Sequence, residues 1–195
     1  MRKFLIIVPF SVFLFSCNQK KEDIHNKTPV PVLITIGYFH SFYQPLETII
    51  NLKDQYILFY SPHDYSPIPP PPQNSGDKKT TELEKQKYQS YLAENPKPVP
   101  FQSPISIANI QDIENILSKF QKEDYENKED LGGIDGMTVN IVITYSDGKI
   151  IQINPIIQPS PVQRELYVNI LELVISKNKY ENNTVLVNRL IRRSR

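Results

Sequence analysis

The residues that could carry chemistry in this chain are few. Three histidines occur, His25, His40 and His63, with one cysteine, Cys17. His63-Asp64 has the residue types of a metal-ligand pair, but a metal site needs three or four convergent ligands, more than these residues supply. Adjacent acids such as Glu123-Asp124 lie on polar stretches, and no Gly-x-Ser-x-Gly motif marks a nucleophile. We therefore predict no metal, no cofactor and no catalytic residue, which favours a protein that is not an enzyme.

The only cysteine closes an N-terminal segment with three parts. Arg2 and Lys3 come first, and an uncharged run from Phe4 to Phe15 follows, too short to span a membrane. The run ends in Leu14-Phe15-Ser16-Cys17, and a strongly polar stretch comes next. This arrangement resembles the signal peptide and lipobox of bacterial lipoproteins. The resemblance implies cleavage before Cys17, lipidation at Cys17 and attachment to a membrane through that lipid.

Two further stretches resemble lipoproteins of the Bacteroidota type. Gln19-Lys20-Lys21-Glu22-Asp23 is similar to the export signal of members displayed on the cell surface. Asp135-Gly136-Met137-Thr138, with the strand, turn and helix predicted after it, resembles the C-terminal third of small lipoproteins of that type, although Met137 replaces their usual Thr. The resemblance implies an outer membrane lipoprotein, periplasmic or surface-exposed, and it implies no activity.

Length and charge limit the organisation and the partners. The chain has 195 residues, which suits one domain with accessory segments. We predict a signal peptide over 1–16, a lipidated tether over 17–29, and a single domain over 30–195 with a proline-rich excursion at 61–100. Cleavage would change 22 basic and 21 acidic residues to 20 and 21, a net charge of −1. A nearly neutral domain argues against nucleic-acid binding, which needs a basic face.

Strand patterns dominate the domain. Apolar residues alternate over 30–39, and strands are also predicted at 46–52 and 55–60. Tyr56-Ile57-Leu58-Phe59-Tyr60 is apolar on both faces, which predicts a central, covered strand. The stretch 137–154 alternates around Asp147-Gly148, the signature of a hairpin with a type I′ turn.

Helix signals follow the strands. Asn109 is predicted to cap one helix, and Ser160-Pro161-Val162-Gln163 has the pattern of a capping box that opens a second. A weak surface helix is expected over 78–95, and a short last helix over 184–193 after a break at Asn182-Asn183. These elements predict an α+β fold, in which an antiparallel sheet built from hairpins carries two main helices on one face.

Two clusters suit binding better than catalysis. An aromatic-rich stretch at a strand end supplies the candidate binding residues Tyr38, His40, Phe42 and Tyr43, which could form a sugar or peptide platform or simply pack around a hairpin. A basic C-terminal tail could contact anionic headgroups or lipopolysaccharide phosphates, or could be a frayed, solvated end. Its members are Arg189, Arg192, Arg193 and Arg195.

These observations predict a lipid-anchored envelope protein that is a non-enzymatic binding or accessory module. Its expected partners are the membrane, through the lipid on Cys17, and a protein or glycan. Two alternatives remain open. One is a small periplasmic or surface hydrolase whose acids the sequence does not identify, and the other is an immunity-type lipoprotein that neutralises a toxin.

Overall fold

The fold is α+β, as the hydrophobic patterns predict. The structure, a computed structural model, describes residues 28–40, 43–65, 78–126, 137–156 and 158–194. Within these ranges one six-stranded antiparallel sheet has the strand order β4-β3-β2-β1-β5-β6. The strands are β1 Pro31–His40, β2 Tyr43–Asn51, β3 Tyr56–Tyr60, β4 Phe101–Pro104, β5 Met137–Tyr145 and β6 Ile150–Ile156. The described helices are α1 Lys78–Glu94, α2 Ile107–Leu117, α3 Pro161–Lys177 and α4 Glu181–Ser194, with a 3-10 turn at Lys122–Tyr125.

One face of the sheet forms the core because apolar residues recur at every second position. Ile34, Ile36 and Tyr38 of β1 are buried and share a face with the buried residues of the neighbouring strands. Helix α3 packs on this face, and the Tyr38 hydroxyl lies 3.4 Å from the carbonyl oxygen of Tyr167. Helices α2 and α4 each contact α3. The predicted helical layer is therefore present, and α4 extends it beyond the two main helices expected.

Strand β3 is not central, so that prediction was wrong. It is second from the edge, between β2 and β4. Ile57 and Phe59 are fully buried, whereas Tyr56, Leu58 and Tyr60 on the alternate face are half-buried. The apolar character of both faces reflects tyrosine and leucine on a partly covered surface.

Three local predictions differ from the structure in detail. Ser106, not Asn109, is the N-cap of α2, and Asn109 is the third helical residue that completes the capping box. The 145–150 hairpin is not closed by a type I′ turn: Gly148 has a φ of +87°, but Asp147 is not at positive φ. The Gly148 N–H donates to the Tyr145 carbonyl, which fits a longer loop with only one left-handed residue. The capping box of Ser160 and Gln163 is confirmed.

Helix α4 begins earlier than predicted, and Asn182-Asn183 lies inside it rather than interrupting it. The Asn183 side chain is fully buried and exchanges two hydrogen bonds with the backbone of Val99, at 2.9 and 2.8 Å. This contact ties the first turn of α4 to the segment that precedes β4.

A cross-strand pair on β2 and β3 links stability to alkaline pH. The Tyr60 hydroxyl donates to Glu47 Oε2. This bond and partial burial raise the pKa of Tyr60 from 10.0 to about 12, so the folded state favours the neutral phenol. The stabilisation is complete below pH 10 and is lost as the pH rises from 10 to 12.

We therefore expect Tyr60→Phe to be less stable than wild type at pH 8, and the difference to shrink between pH 10 and 12. Urea unfolding at a series of pH values would measure it. Glu47→Gln removes the main cause of the raised pKa of Tyr60. Its stability should therefore also approach that of wild type between pH 10 and 12. A difference that stays constant across this range would contradict the assignment.

Candidate functional site

The most distinctive polar site lies where the β1–β2 hairpin meets the end of α4. His40 is the last residue of β1 and pairs in register with Tyr43, the first residue of β2. Their ring centroids are 4.4 Å apart at an interplanar angle of 51°. The hairpin register therefore holds two of the candidate binding residues side by side.

Two arginines of α4 stack on the ring of Tyr43. Arg189 and Arg193 are four positions apart, so they project from the same face of the helix. Their guanidinium carbons lie 3.9 and 4.7 Å from the centroid of the Tyr43 ring, within cation–π range. The tyrosine thus brings two like charges close together.

Arg193 is also hydrogen-bonded at the hairpin. Its Nη2 donates to the Tyr43 hydroxyl at 3.0 Å, and its Nη1 contacts His40 Nε2. A guanidinium has donors only, so His40 Nε2 must be the acceptor in this contact. These bonds hold the guanidinium of Arg193 against the hairpin.

Arg189 is buried and joins α4 to the end of α1. Its Nη1 donates to the carbonyl oxygen of Glu94, the last residue of α1, at 2.8 Å, and to Asn95 Oδ1 at 2.5 Å. A cation at this position satisfies a carbonyl that a helix end leaves without an intrahelical partner. Burial lowers the pKa of Arg189 and nearby Arg193 lowers it further, whereas Tyr43, Tyr91 and Glu94 oppose the shift. The group still remains charged, because an arginine does not lose its proton in a protein.

A partly open cavity of about 300 Å³, which we call the arginine pocket, lies beside Tyr43, Arg189 and Arg193. Its lining residues are Tyr43, Glu94, Val185, Arg189, Arg192 and Arg193. The volume is at the lower end of the range for small-molecule sites.

The arginine pocket has an excess of positive charge. Three guanidiniums and one carboxylate, Glu94, line it. Within the described ranges none of the three arginines lies within 4.0 Å of a carboxylate oxygen, and Arg192 makes no hydrogen bond to another described residue. Guanidiniums held close together without carboxylate partners form a favourable site for an anion.

The structure brings part of the aromatic-rich stretch together with the basic C-terminal arginines, and it separates Tyr38 from the rest of that stretch. His40 and Tyr43 lie beside Arg189 and Arg193. Tyr38 is 1 % exposed and packs in the core, where burial raises the pKa of its hydroxyl. Phe42 and Cys17 lie outside the described residues. Arg189 and Arg193 are not part of a frayed, solvated end, because they belong to α4 and contact the hairpin.

Sequence reasoning missed Glu94, Asn95 and Val185 as parts of this site. Glu94 and Asn95 precede Pro96 and appear only as the end of a weak helix, and Val185 appears only as an apolar helix position. A local pattern could not identify them, because the contact between Arg189 and Glu94 joins residues 95 positions apart.

A second, more open depression of about 570 Å³ lies between α3 and α4. Glu172 and Arg192 both line it, so opposite charges face the same space, and its other lining residues are Ile175, Val185, Asn188 and Ile191. This mixed lining favours no ligand class as clearly as the arginine pocket does.

Other chemistry has little support in the part of the chain that is described. The backbone oxygens of His63 and Asp64 accept hydrogen bonds from Gln44 Nε2 at 2.9 and 3.2 Å, which fixes this stretch as a loop against β2. Across the described ranges, no three His, Cys, Asp or Glu side chains are grouped so that they could hold a metal. None of the helices described is both long enough and apolar enough to cross a membrane.

Comparisons with family models, with curated proteins and with solved structures find no match for this chain.

Proposed function

We propose that this chain is a lipid-anchored protein of the bacterial envelope whose domain binds an anionic ligand in the arginine pocket, as a non-enzymatic module. One observation carries the binding proposal: Arg189 and Arg193 stack on Tyr43 without a carboxylate partner among the described residues. Such a site already holds its cations in place, so a ligand loses less free energy in ordering them.

The hydrogen bonds of the arginine pocket support a binding site that is preformed before the ligand binds. Arg193 is held by Tyr43 and His40, and Arg189 by Glu94 and Asn95. Mutual repulsion between the two guanidiniums would be relieved by an anion, which adds to the favourable interaction. An acidic group on a small molecule, a glycan or a protein would satisfy this requirement.

The proposed anchor rests on the N-terminal sequence. Leu14-Phe15-Ser16-Cys17 ends an apolar run with a basic start, as in lipoprotein precursors. A diacylated, amide-acylated cysteine would give stable attachment, since one chain alone gives only marginal binding. The proposed location is the outer membrane, on its periplasmic or outer side.

We expect Cys17→Ala to abolish incorporation of labelled palmitate completely, because Cys17 is the only cysteine in the chain. Metabolic labelling followed by immunoprecipitation would measure this. Ser11→Ala, within the apolar run, is the control and should label like wild type. Label retained by the Cys17→Ala protein would refute the anchor.

Protease treatment of intact and lysed cells would show which side of the membrane the domain of the wild-type protein faces.

Anion binding can be tested by thermal unfolding in sodium phosphate, sulfate, succinate and chloride at matched ionic strength. A specific anion at a hundred times its Kd should raise Tm by about 5–10 °C. Arg192→Gln should lose much of this increase, because Arg192 lines the pocket and has no described hydrogen bond.

The control for that measurement is Arg164→Gln, the same exchange at an exposed position of α3. Sulfate and phosphate also stabilise proteins by exclusion from their surfaces, so only the difference between the two variants reports the site. Equal increases in wild type, Arg192→Gln and Arg164→Gln would contradict an anion site in this pocket.

A further inference from the structure

We infer that the ligand of the arginine pocket carries a phosphate monoester, an inference that rests on the proposed anion-binding function. The pocket residues decide between the common biological anions by charge, by number of donors and by the surface left for the organic part of the ligand.

Charge favours a dianion. Arg189, Arg192, Arg193 and Glu94 line the cavity, and Glu172 shares the neighbouring depression with Arg192. The arginine pocket therefore keeps an excess of positive charge. A phosphate monoester carries roughly −1.5 to −2 charges at pH 7. A monocarboxylate carries a single negative charge, whereas a dicarboxylate such as succinate spreads its charge over two separate groups. Charge therefore disfavours a monocarboxylate, and the hydrogen-bond donors must distinguish a phosphate monoester from a dicarboxylate.

The number of hydrogen-bond donors favours the same group. The described hydrogen bonds of Arg189 use Nη1 alone, which leaves the N–H groups of Nη2 and Nε. All five donors of Arg192 are without a described partner, and each Nη of Arg193 has a second hydrogen. A phosphate monoester presents three terminal oxygens on one group to three guanidiniums, whereas each carboxylate of a dicarboxylate presents only two.

The remaining walls suit a small organic group. Tyr43 contributes an aromatic ring and Val185 an aliphatic side chain. A cavity of about 300 Å³ is larger than a phosphate group but small for a drug-sized ligand. A glycerol- or sugar-sized group next to the phosphate would fill it.

This chemistry has two sources, a soluble phosphate ester and a phosphorylated lipid headgroup. A tether over residues 17–29 would keep the domain within roughly 45 Å of its membrane, because an extended chain spans about 3.5 Å per residue. Headgroups are therefore reachable from the proposed anchor.

The test is calorimetric titration of the full lipidated protein in a neutral detergent. Its probes are inorganic phosphate, glycerol 3-phosphate, a short-chain phosphatidic acid, a matched short-chain phosphatidylcholine and succinate. We expect the phosphate monoesters to bind about tenfold or more tightly than succinate, and Arg192→Gln to weaken them by about tenfold or more. Arg164→Gln should bind like wild type.

The titration results distinguish the source of the phosphate monoester, the phosphate inference itself and the proposed anion-binding function. Binding of glycerol 3-phosphate alone supports a soluble ester, and stronger binding of phosphatidic acid than of phosphatidylcholine supports a headgroup. Succinate that binds as tightly as the phosphates, with the same dependence on Arg192, overturns the inference and leaves the proposed anion-binding function standing. If none of these anions binds, both fail.

Discussion

Replacement of Asn183 by alanine is expected to lower the free energy of unfolding by about 2–4 kcal/mol. The Asn183 side chain is fully buried, accepts from the Val99 N–H at 2.9 Å, and donates to the Val99 carbonyl at 2.8 Å and to Asn178 Oδ1 at 3.1 Å. Alanine would leave both backbone groups of Val99 without these partners. A buried donor or acceptor that loses its partner costs about 1–3 kcal/mol. Urea unfolding followed by circular dichroism would measure the change.

Asn182→Ala is the matched control, because Asn182 is exposed and makes one hydrogen bond, to the Lys97 carbonyl at 3.0 Å. We expect a loss of at most about 1 kcal/mol there, since water replaces an exposed bond. Equal losses for the two variants would contradict the view that the buried contact of Asn183 holds α4 against the segment before β4.

Replacement of Arg189 by methionine is expected to lower the free energy of unfolding by about 2–3 kcal/mol and to remove anion binding. Methionine keeps an aliphatic side chain in the buried space but cannot donate to Glu94 or Asn95. The Glu94 carbonyl would lose its partner at 2.8 Å, and Asn95 Oδ1 would lose a donor. Urea unfolding and titration with phosphate would measure the two effects on the same preparation.

Arg192→Met provides the comparison for Arg189→Met. Arg192 is exposed and has no described hydrogen bond, so its loss should weaken anion binding with little change in stability. Arg189→Lys keeps the charge without the planar fork of donors and should be intermediate in both measurements. Full stability of Arg189→Met would show that the contacts of Arg189 with the end of α1 contribute little to the fold.

The two arginines have different roles because their surroundings differ. Arg189 is 9 % exposed and is held by the end of α1, so it contributes to both the fold and the pocket. Arg192 is exposed on the last turns of α4, where it lines two cavities and makes no hydrogen bond to a described residue. This difference allows mutations to separate a defect in binding from a defect in folding.

Most strands and the start of α3 were readily predicted from local patterns. The alternation in β1 and β5 reports burial on one face, since side chains of a strand point to opposite sides in turn. The capping box at Ser160 forms because its hydrogen bonds join residues three positions apart. Such signals depend on near neighbours, which the sequence shows directly.

Two predictions were wrong because the same local sequence pattern is compatible with two different structures. Asn182-Asn183 resembles a break, because asparagine is a weak helix former, yet Asn183 is placed in α4 by its contact with Val99. Tyr56–Tyr60 resembles a central strand, but β5 and β6 extend the sheet beyond β1 and only β4 lies beyond β3, so β3 is second from the edge. Tertiary partners decided both cases.

The amino-acid sequence by itself determined the α+β class and most strand and helix positions, because these depend on composition and on spacing over a few residues. Only the tertiary structure decided that Tyr43, the end of α1 and the arginines of α4 form one pocket. Arg193 and Tyr43 are 150 positions apart, and Arg189 and Glu94 are 95 apart. Contacts at such separations follow from how the elements pack, and they leave no periodic signal in the sequence.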